Sequence, residues 1–213
     1  QLTRLPNRRL LLDRLQQALA ASARSGAEGA LLFIDLDNFK DLNDTLGHDK
    51  GDLLLKLVAE RLNLCVRDGD TVARLGGDEF VILLAEIELP DDAALIAEKL
   101  LAASARPHLI GGHELHVTLS IGISVYPGDG VSSDGVLQNA DTAMYHAKAC
   151  GRNNYQFFQA DMNERAVRRL VVESSLRRAL QRQEFVLVYQ PQVDMASGTM
   201  TGAEALIRWL DPD

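Results

Sequence analysis

The chain has little cysteine: two residues in 213, Cys65 and Cys150, far apart and matching no metal-ligand spacing. That excludes a disulfide framework and a thiolate metal site, and the pair reads as reduced thiols of a cytoplasmic domain. No apolar run approaches the ~20 residues that span a bilayer, and no signal peptide is visible. Membrane attachment is therefore expected only through segments absent from this chain. No stretch is biased enough to be low-complexity or disordered. Positive charge is also scarce: 22 Lys and Arg stand against 30 Asp and Glu, a net charge of −8. A general nucleic-acid-binding surface is excluded, while a local basic pocket is not.

What is present is core material. Hydrophobic residues make up 46% of the chain. That suffices for one core of ordinary domain size with some chain left over. The sequence opens inside a motif at Gln1-Leu2-Thr3 and stops at Asp211-Pro212-Asp213, which reads as a piece of a longer protein.

Pro6 suits a first helical turn, and Leu10, Leu11, Leu15, Ala18 and Leu19 give that helix an apolar stripe ended by Gly26 and Gly29. Ala30 to Ile34 is a continuous apolar run of strand length, read as a buried central strand entering Asp35-Leu36-Asp37. A helix bent near Gly47 and Gly51 follows. Thr71 to Leu75 and Phe80 to Leu84 read as strands joined at Gly76-Gly77. Pro90 opens a helix, Gly111-Gly112 is a turn, and Leu115 to Val125 reads as one long strand. Val136 to Ala149 is a helix, and Tyr155 to Phe158 a short strand. The order β-α-β-β-α-β predicts an α+β, ferredoxin-like fold: an antiparallel sheet with helices on one face, plus additions. Asp161 to Arg182 reads as a charged helix with Leu170, Val171, Leu176 and Leu180 as anchors. A hairpin follows that is too short to be a domain. The expected division is 1–160, a linker helix over 161–183, and 184–213.

In such a sheet, Asp35 and Asp37 at one strand end lie near Asp78 and Glu79 at the hairpin. Like charges that close require a neutralising cation, and hard oxygens suit magnesium or manganese. An ordinary solvated hairpin is the competing reading of each acid pair alone. Lys148 and Arg152, one helical turn apart, offer two positive charges to a polyphosphate, or simply complement a helix C-terminus. The Asn38-Phe39-Lys40 segment passes from strand to helix and leaves backbone N–H groups for phosphate oxygens. Asn43 and Asp52 read a base edge or cap a bent helix. Together these features point to a nucleoside triphosphate and phosphoryl or nucleotidyl transfer.

These residues carry a resemblance. RLGGDEF (74–80) resembles the signature of the GGDEF family of diguanylate cyclases. LTRLPNRR (2–9), with Arg4 where the family usually has glycine, FIDLDNFKDLNDTLGHDKGD (33–52), LSIGIS (119–124) and NADTAMYHAKACGRN (139–153) resemble four more of its blocks, in order. The resemblance implies a palm-type fold and condensation of two GTP into cyclic di-GMP and pyrophosphate by a homodimer. It implies that Asp35, Asp78 and the Leu36 carbonyl hold Mg2+ or Mn2+, two ions per active site, with Glu79 beside the ribose hydroxyl or at the second metal. It assigns guanine to Asn43 and Asp52. The β- and γ-phosphates fall to Lys148 and Arg152 with backbone near Asn38, Phe39 and Lys40, and the nucleotide's approach lies over Gly76 and Gly77.

Arg67 and Asp70 match the family's RxxD site at its usual spacing before the signature, where the product cyclic di-GMP would bind; a turn rich in Asp and Gly explains the same residues. The strand Thr71 to Leu75 separates this site from the hairpin by ~17 Å. The tail, EFVLVYQPQVDMASGTMTGAEALIRW (184–209), resembles the start of an EAL-type cyclic di-GMP phosphodiesterase. Glu204 would be a metal ligand there, and Gln190 and Arg208 substrate contacts. A fragment cannot close that barrel, so no phosphodiesterase activity is expected of this chain. Two functions follow from the resemblance: an active diguanylate cyclase, or a nucleotide-binding module that regulates an adjoining phosphodiesterase.

Overall fold

The computed structural model describes the backbone of residues 2–210 and the side chains of all of these except 113, 163–171, 173 and 174. The expected anchors Leu170 and Val171 lie outside the described side chains, and the ends at Gln1 and 211–213 lie outside the described residues. Two compact units divide the chain, 1–162 and 163–213.

In the first unit, helix α1 (Arg8–Ser25) starts at Asn7, whose side chain accepts from the Leu10 amide, and ends at left-handed Gly26. Pro6 is therefore not in the first turn as expected. Asn7 takes the cap because its oxygen satisfies an otherwise unpaired helix N–H. The Pro6 carbonyl instead accepts from the Arg74 amide at 3.0 Å, tying the entry segment to the hairpin. Gly29 likewise does not end α1; it lies in strand β1 (Glu28–Leu36).

The helical segment breaks at Gly47 into α2 (Phe39–Leu46) and α3 (His48–Cys65). Next come β2 (Thr71–Gly76), β3 (Glu79–Ile87) and α4 (Pro90–Ser104). The small strands β4 (His108–Ile110) and β5 (His113–Leu115) pair with each other. Strand β6 (Leu119–Tyr126), α5 (Ser133–Ala149) and β7 (Asn154–Phe157) complete the unit.

The five-stranded sheet has the order β2-β3-β1-β6-β7. Its four core strands are antiparallel, whereas β7 joins β6 in parallel, so the sheet is mixed rather than wholly antiparallel. Strand β1 alternates between two cores. Ala30, Leu32, Ile34 and Leu36 pack with α3 and α4. Leu31 and Phe33 pack with α1 and α5. Helices thus cover both faces, not one as expected. A central strand apolar at every position must bury both sides, and each buried Leu or Ile contributes ~1.5–3 kcal/mol.

The long strand expected over Leu115 to Val125 is interrupted at 116–118. There the Val117 carbonyl accepts from Ser104 Oγ at 3.0 Å instead of from a strand. Gly111-Gly112, both at positive φ, are the turn between β4 and β5.

The second unit takes in most of helix α6 (Ala160–Gln181) and the antiparallel hairpin of β8 (Phe185–Val193) with β9 (Met200–Trp209). Trp209 Nε1 donates to Glu184 at 3.1 Å, and Asp194 caps the turn through the Ala196 and Ser197 amides. Leu176 and Leu180 are exposed while Ala179 is buried, so those two leucines are not the anchors expected. Val186, Leu187, Tyr189 and Ile207 are also exposed, as two strands without a covering layer require.

His108 is fully buried and receives a hydrogen bond from Arg61 at Nε2 (3.0 Å), while the same guanidinium donates to the carbonyls of Ala103, Arg106 and Pro107. Burial, then the Arg61 charge, pushes its pKa down to about 4. The unfolded imidazole takes a proton near pH 6.5 and the folded one resists, so stability present above that pH is lost as pH falls toward 4. Urea unfolding at pH 5 against pH 7 should show a loss of ~2 kcal/mol from this group. His108→Leu should lack that increment; an identical pH difference in the variant would refute the assignment.

Candidate active site

The antiparallel register sets Asp35, near the end of β1, opposite Glu79 of β3 and, on its other edge, opposite Ser120 of β6. Asp78 precedes Glu79 in the turn. Lys148, in the last turn of α5, reaches across to Asp35 with Nζ to Oδ1 at 2.8 Å. Burial pushes Asp35 up to about 6; Lys148 pulls it down, and Asp78 and Asp37 push it further up. Glu79 is raised by burial, then by Asp141 and Asp78, against Lys148 and Arg8. One ammonium therefore faces several carboxylates. Among the described residues, no three acid, histidine or cysteine side chains cage an ion unaided. The donors that do converge are hard oxygens with uncompensated negative charge, which fits a hard divalent cation completed by ligand oxygens. Leu36 is buried between the two acids of β1 and faces Leu119.

Beside the acids, the hairpin turn is bare. Gly77 has φ +48°, and a Cβ on Gly76 or Gly77 would meet nothing within 4 Å. Arg74 fixes the turn, its Nε and Nη2 donating to the Gly77 carbonyl at 3.0 and 2.6 Å.

Asn38, at φ +57°, leads into α2 with no side-chain cap. The first amides of α2 point outward as a helix start requires, with Phe39 buried beneath and Lys40 exposed. In the same helix, Asn43 Oδ1 is buried without a hydrogen-bond partner. A Cβ on Gly51 would lie 1.8 Å from that oxygen, so only glycine lets α3 approach Asn43 so closely. Asp52 is exposed one residue beyond Gly51. A buried acceptor left unpaired is unusual and suits a ligand donor.

Asp37 does not join the carboxylate group. It accepts from Thr118 Oγ1 and Ser120 Oγ, both at 2.7 Å, and from the Asn153 amide at 3.2 Å. Arg152 Nε lies 3.9 Å from it.

Sequence reasoning passed over Arg8 and Asp141. With Glu79, Phe33 and Gln138 they line a cleft of about 340 Å³. The available signal was helical spacing: Asp141 precedes Lys148 by seven residues, two turns on one face of α5.

Arg67 and Asp70 sit at the other end of β2. Arg67 Nε lies 3.3 Å from Asp70 Oδ1, its amide donates to Oδ2 at 3.2 Å, and its Nη2 donates to the Glu86 carbonyl. They border a cleft of about 690 Å³ that also meets Cys65, Glu86, Asp92 and Lys99. In the second unit, Gln190 and Glu204 face each other across the hairpin and Arg208 faces Val186, all three exposed.

Residues 1–154 match the family model described as "Diguanylate cyclase, GGDEF domain", and residues 173–213 match that of the EAL domain. A bifunctional diguanylate cyclase/cyclic di-GMP phosphodiesterase of Pseudomonas aeruginosa, MucR, is 52% identical over 99% of this chain and 31% of its own length. A cyclic di-GMP phosphodiesterase of the same organism, NbdA, is 42% identical over 99% of this chain and 27% of its own. The chain thus spans about a third or less of these relatives. The crystal structure of the P. aeruginosa YfiN (TpbB) GGDEF domain superposes with a TM-score of 0.73 at 40% identity, covering 74% of this chain and 98% of that one. No helix among the described residues is long and apolar enough to cross a membrane. On this evidence the chain belongs to the GGDEF family and continues into the start of an EAL domain.

Proposed function

We propose that residues 1–160 are a palm-type, ferredoxin-like diguanylate cyclase domain, joined by the helical segment 161–183 to an EAL domain of which 184–213 are the beginning. The observation that carries this reading is the meeting of Asp35 and Glu79 across β1 and β3, with Lys148 2.8 Å from Asp35, beside the bare Gly76-Gly77 turn. Guanine is read by the unpaired Asn43 oxygen, which suits a base N–H, together with Asp52. Lys148 and Arg152, with the open amides after Asn38, hold the β- and γ-phosphates, the amides of Phe39 and Lys40 acting as a helix N-terminus. Asp35, Asp78 and the Leu36 carbonyl, with Glu79, would hold two Mg2+ or Mn2+ ions. Bound there, the ions supply Lewis-acid activation of the ribose hydroxyl and stabilise charge on the α-phosphate and leaving pyrophosphate.

The reaction is an in-line attack of one GTP's 3′-oxygen on the α-phosphorus of another. Each domain holds one GTP, so two copies must face each other, and a homodimer follows from the chemistry. The product, cyclic di-GMP, then occupies the cleft at Arg67 and Asp70, where the guanidinium suits a phosphate or guanine edge and the aspartate suits guanine N–H groups.

A second reading is a GTP- or cyclic di-GMP-binding module that regulates an adjoining phosphodiesterase. It is favoured by the EAL start in the same chain and by the likeness over this stretch to NbdA, named a phosphodiesterase.

Incubated with GTP and magnesium, the dimeric protein should yield cyclic di-GMP, and Asp78→Ala should lower the rate roughly 10²-fold or more, as expected for loss of a charge-stabilising group. Wild-type protein as inactive as the variant would defeat the cyclase reading. Arg67→Ala should weaken cyclic di-GMP binding on the order of tenfold, the scale of a charged hydrogen bond, and leave GTP affinity intact. Calorimetry with unchanged product affinity would remove the product site from Arg67.

A further inference from the structure

Asp37 closes the strand that presents Asp35, yet its carboxylate is sealed: the side chain is 0% exposed. A buried carboxylate is stable only when its oxygens are fully hydrogen-bonded. Here the donors come from two places. Thr118 stands just before β6 and Ser120 within it. The Asn153 amide and the Arg152 guanidinium stand on the loop that follows α5. That loop has an unusual backbone. Gly151, Arg152 and Asn153 all have positive φ (+105°, +62° and +49°). Two consecutive non-glycine residues in the left-handed region store ~1–2 kcal/mol each. Something must hold them there. The Arg152 amide bonds back to the Ala147 carbonyl at 3.2 Å, and the Asn154 side chain bonds to the carbonyls of Ala147 and Arg152. These contacts tie the loop only to its own helix. Asp37 adds the bond that reaches from the loop to the centre of the sheet.

We infer that Asp37 is a positioning residue for the triphosphate. Its Oδ2 fixes the left-handed Arg152–Asn153 turn through the Asn153 amide, and its charge draws the Arg152 guanidinium to the end of β1. The half-exposed arginine is thereby held beside the end of β1. Asp37 itself touches no nucleotide. The inference rests on the reading of Arg152 as a ligand of the β- or γ-phosphate, and it adds a selective consequence. Loss of the anchor weakens binding only of nucleotides long enough to reach Arg152. A role in folding alone would weaken a monophosphate and a triphosphate alike.

The test is calorimetric titration of wild-type protein, Asp37→Asn and Arg152→Ala with GTP and with GMP, magnesium present. Asparagine keeps the shape and loses the charge, and its amide group can turn a donor toward the Asn153 N–H. GTP affinity is expected to fall about tenfold in Asp37→Asn, the scale of one charged hydrogen bond, with GMP affinity changed less than about twofold. Wild-type GTP affinity in a folded Asp37→Asn, or equal losses for GTP and GMP, overturns the inference. If Arg152→Ala leaves GTP binding untouched, the phosphate reading of Arg152 fails first, and the inference with it. Should Asp37→Asn not fold, Ser120→Ala removes one donor and keeps the charge. A loss confined to GTP supports the anchor, and an equal loss or none overturns it.

Discussion

The ion pair between Lys148 and Asp35 is the joint on which the acidic end of the molecule depends. It fastens the last turn of α5 to the end of β1, and both partners are largely withdrawn from water. Such a pair is a constraint more than a source of stability, because desolvating two charges offsets most of their attraction. Burial still holds Asp35 up at about 6 despite the lysine, with the charges of Asp78 and Asp37 adding to the rise. The local charge is therefore unbalanced by design of the fold: β1 and β3 deliver carboxylates from adjacent strands, and only one ammonium meets them directly. A bound cation and an anionic ligand resolve that imbalance together.

The hairpin strand β2 gives the domain its second constraint. Its ladder to β3 and the Pro6–Arg74 bond hold it on both sides. Arg67 and Asp70 lie before its first residue, and Arg74 grips the Gly77 carbonyl at its last. Any influence of a ligand at the far cleft on the hairpin must pass as a displacement of the whole strand against β3, or through the contact of Arg67 with the Glu86 carbonyl on β3 itself. Coupling between the ends needs two arrangements of that strand pair with different affinities at each end, and proximity along one element does not supply them by itself.

Features set by local chemistry were legible in the sequence. The apolar run at Ala30 to Ile34 is the buried central strand expected of it, Gly26 ends a helix, and the β-α-β-β-α-β order appears in the structure as read. The errors fall where distant partners decide. Nothing in the alternation of Leu115 to Leu119 announces that Ser104 will take the Val117 carbonyl and break the strand. The apolar stripe of α1 does not say which face of the sheet it covers. Pro6 looked like a helix start because the competing cap at Asn7 and its carbonyl's strand partner were not visible together.

The candidate site divides along the same line. Asp35, Asp78 and Glu79 could be placed near one another from strand pattern alone, because a hairpin beside a central strand leaves little choice of register. Arg4 is a further case. The resemblance marked it as a departure from glycine, and the structure holds it at φ +59°, the conformation in which glycine is free of strain. Asp37 is grouped by sequence with Asp35, Asp78 and Glu79 at the acidic end, though the resemblance gives it no metal role. Its partners lie 81, 83 and 116 residues away, at Thr118, Ser120 and Asn153. An acid two residues from another acid reads as part of the same charged group until those donors are known. Once they are, the full satisfaction of its oxygens accounts for its separation from that cluster. The two aspartates of one short motif thus differ in their surroundings: Asp35 meets the Lys148 ammonium, whereas Asp37 meets two hydroxyls and a backbone amide.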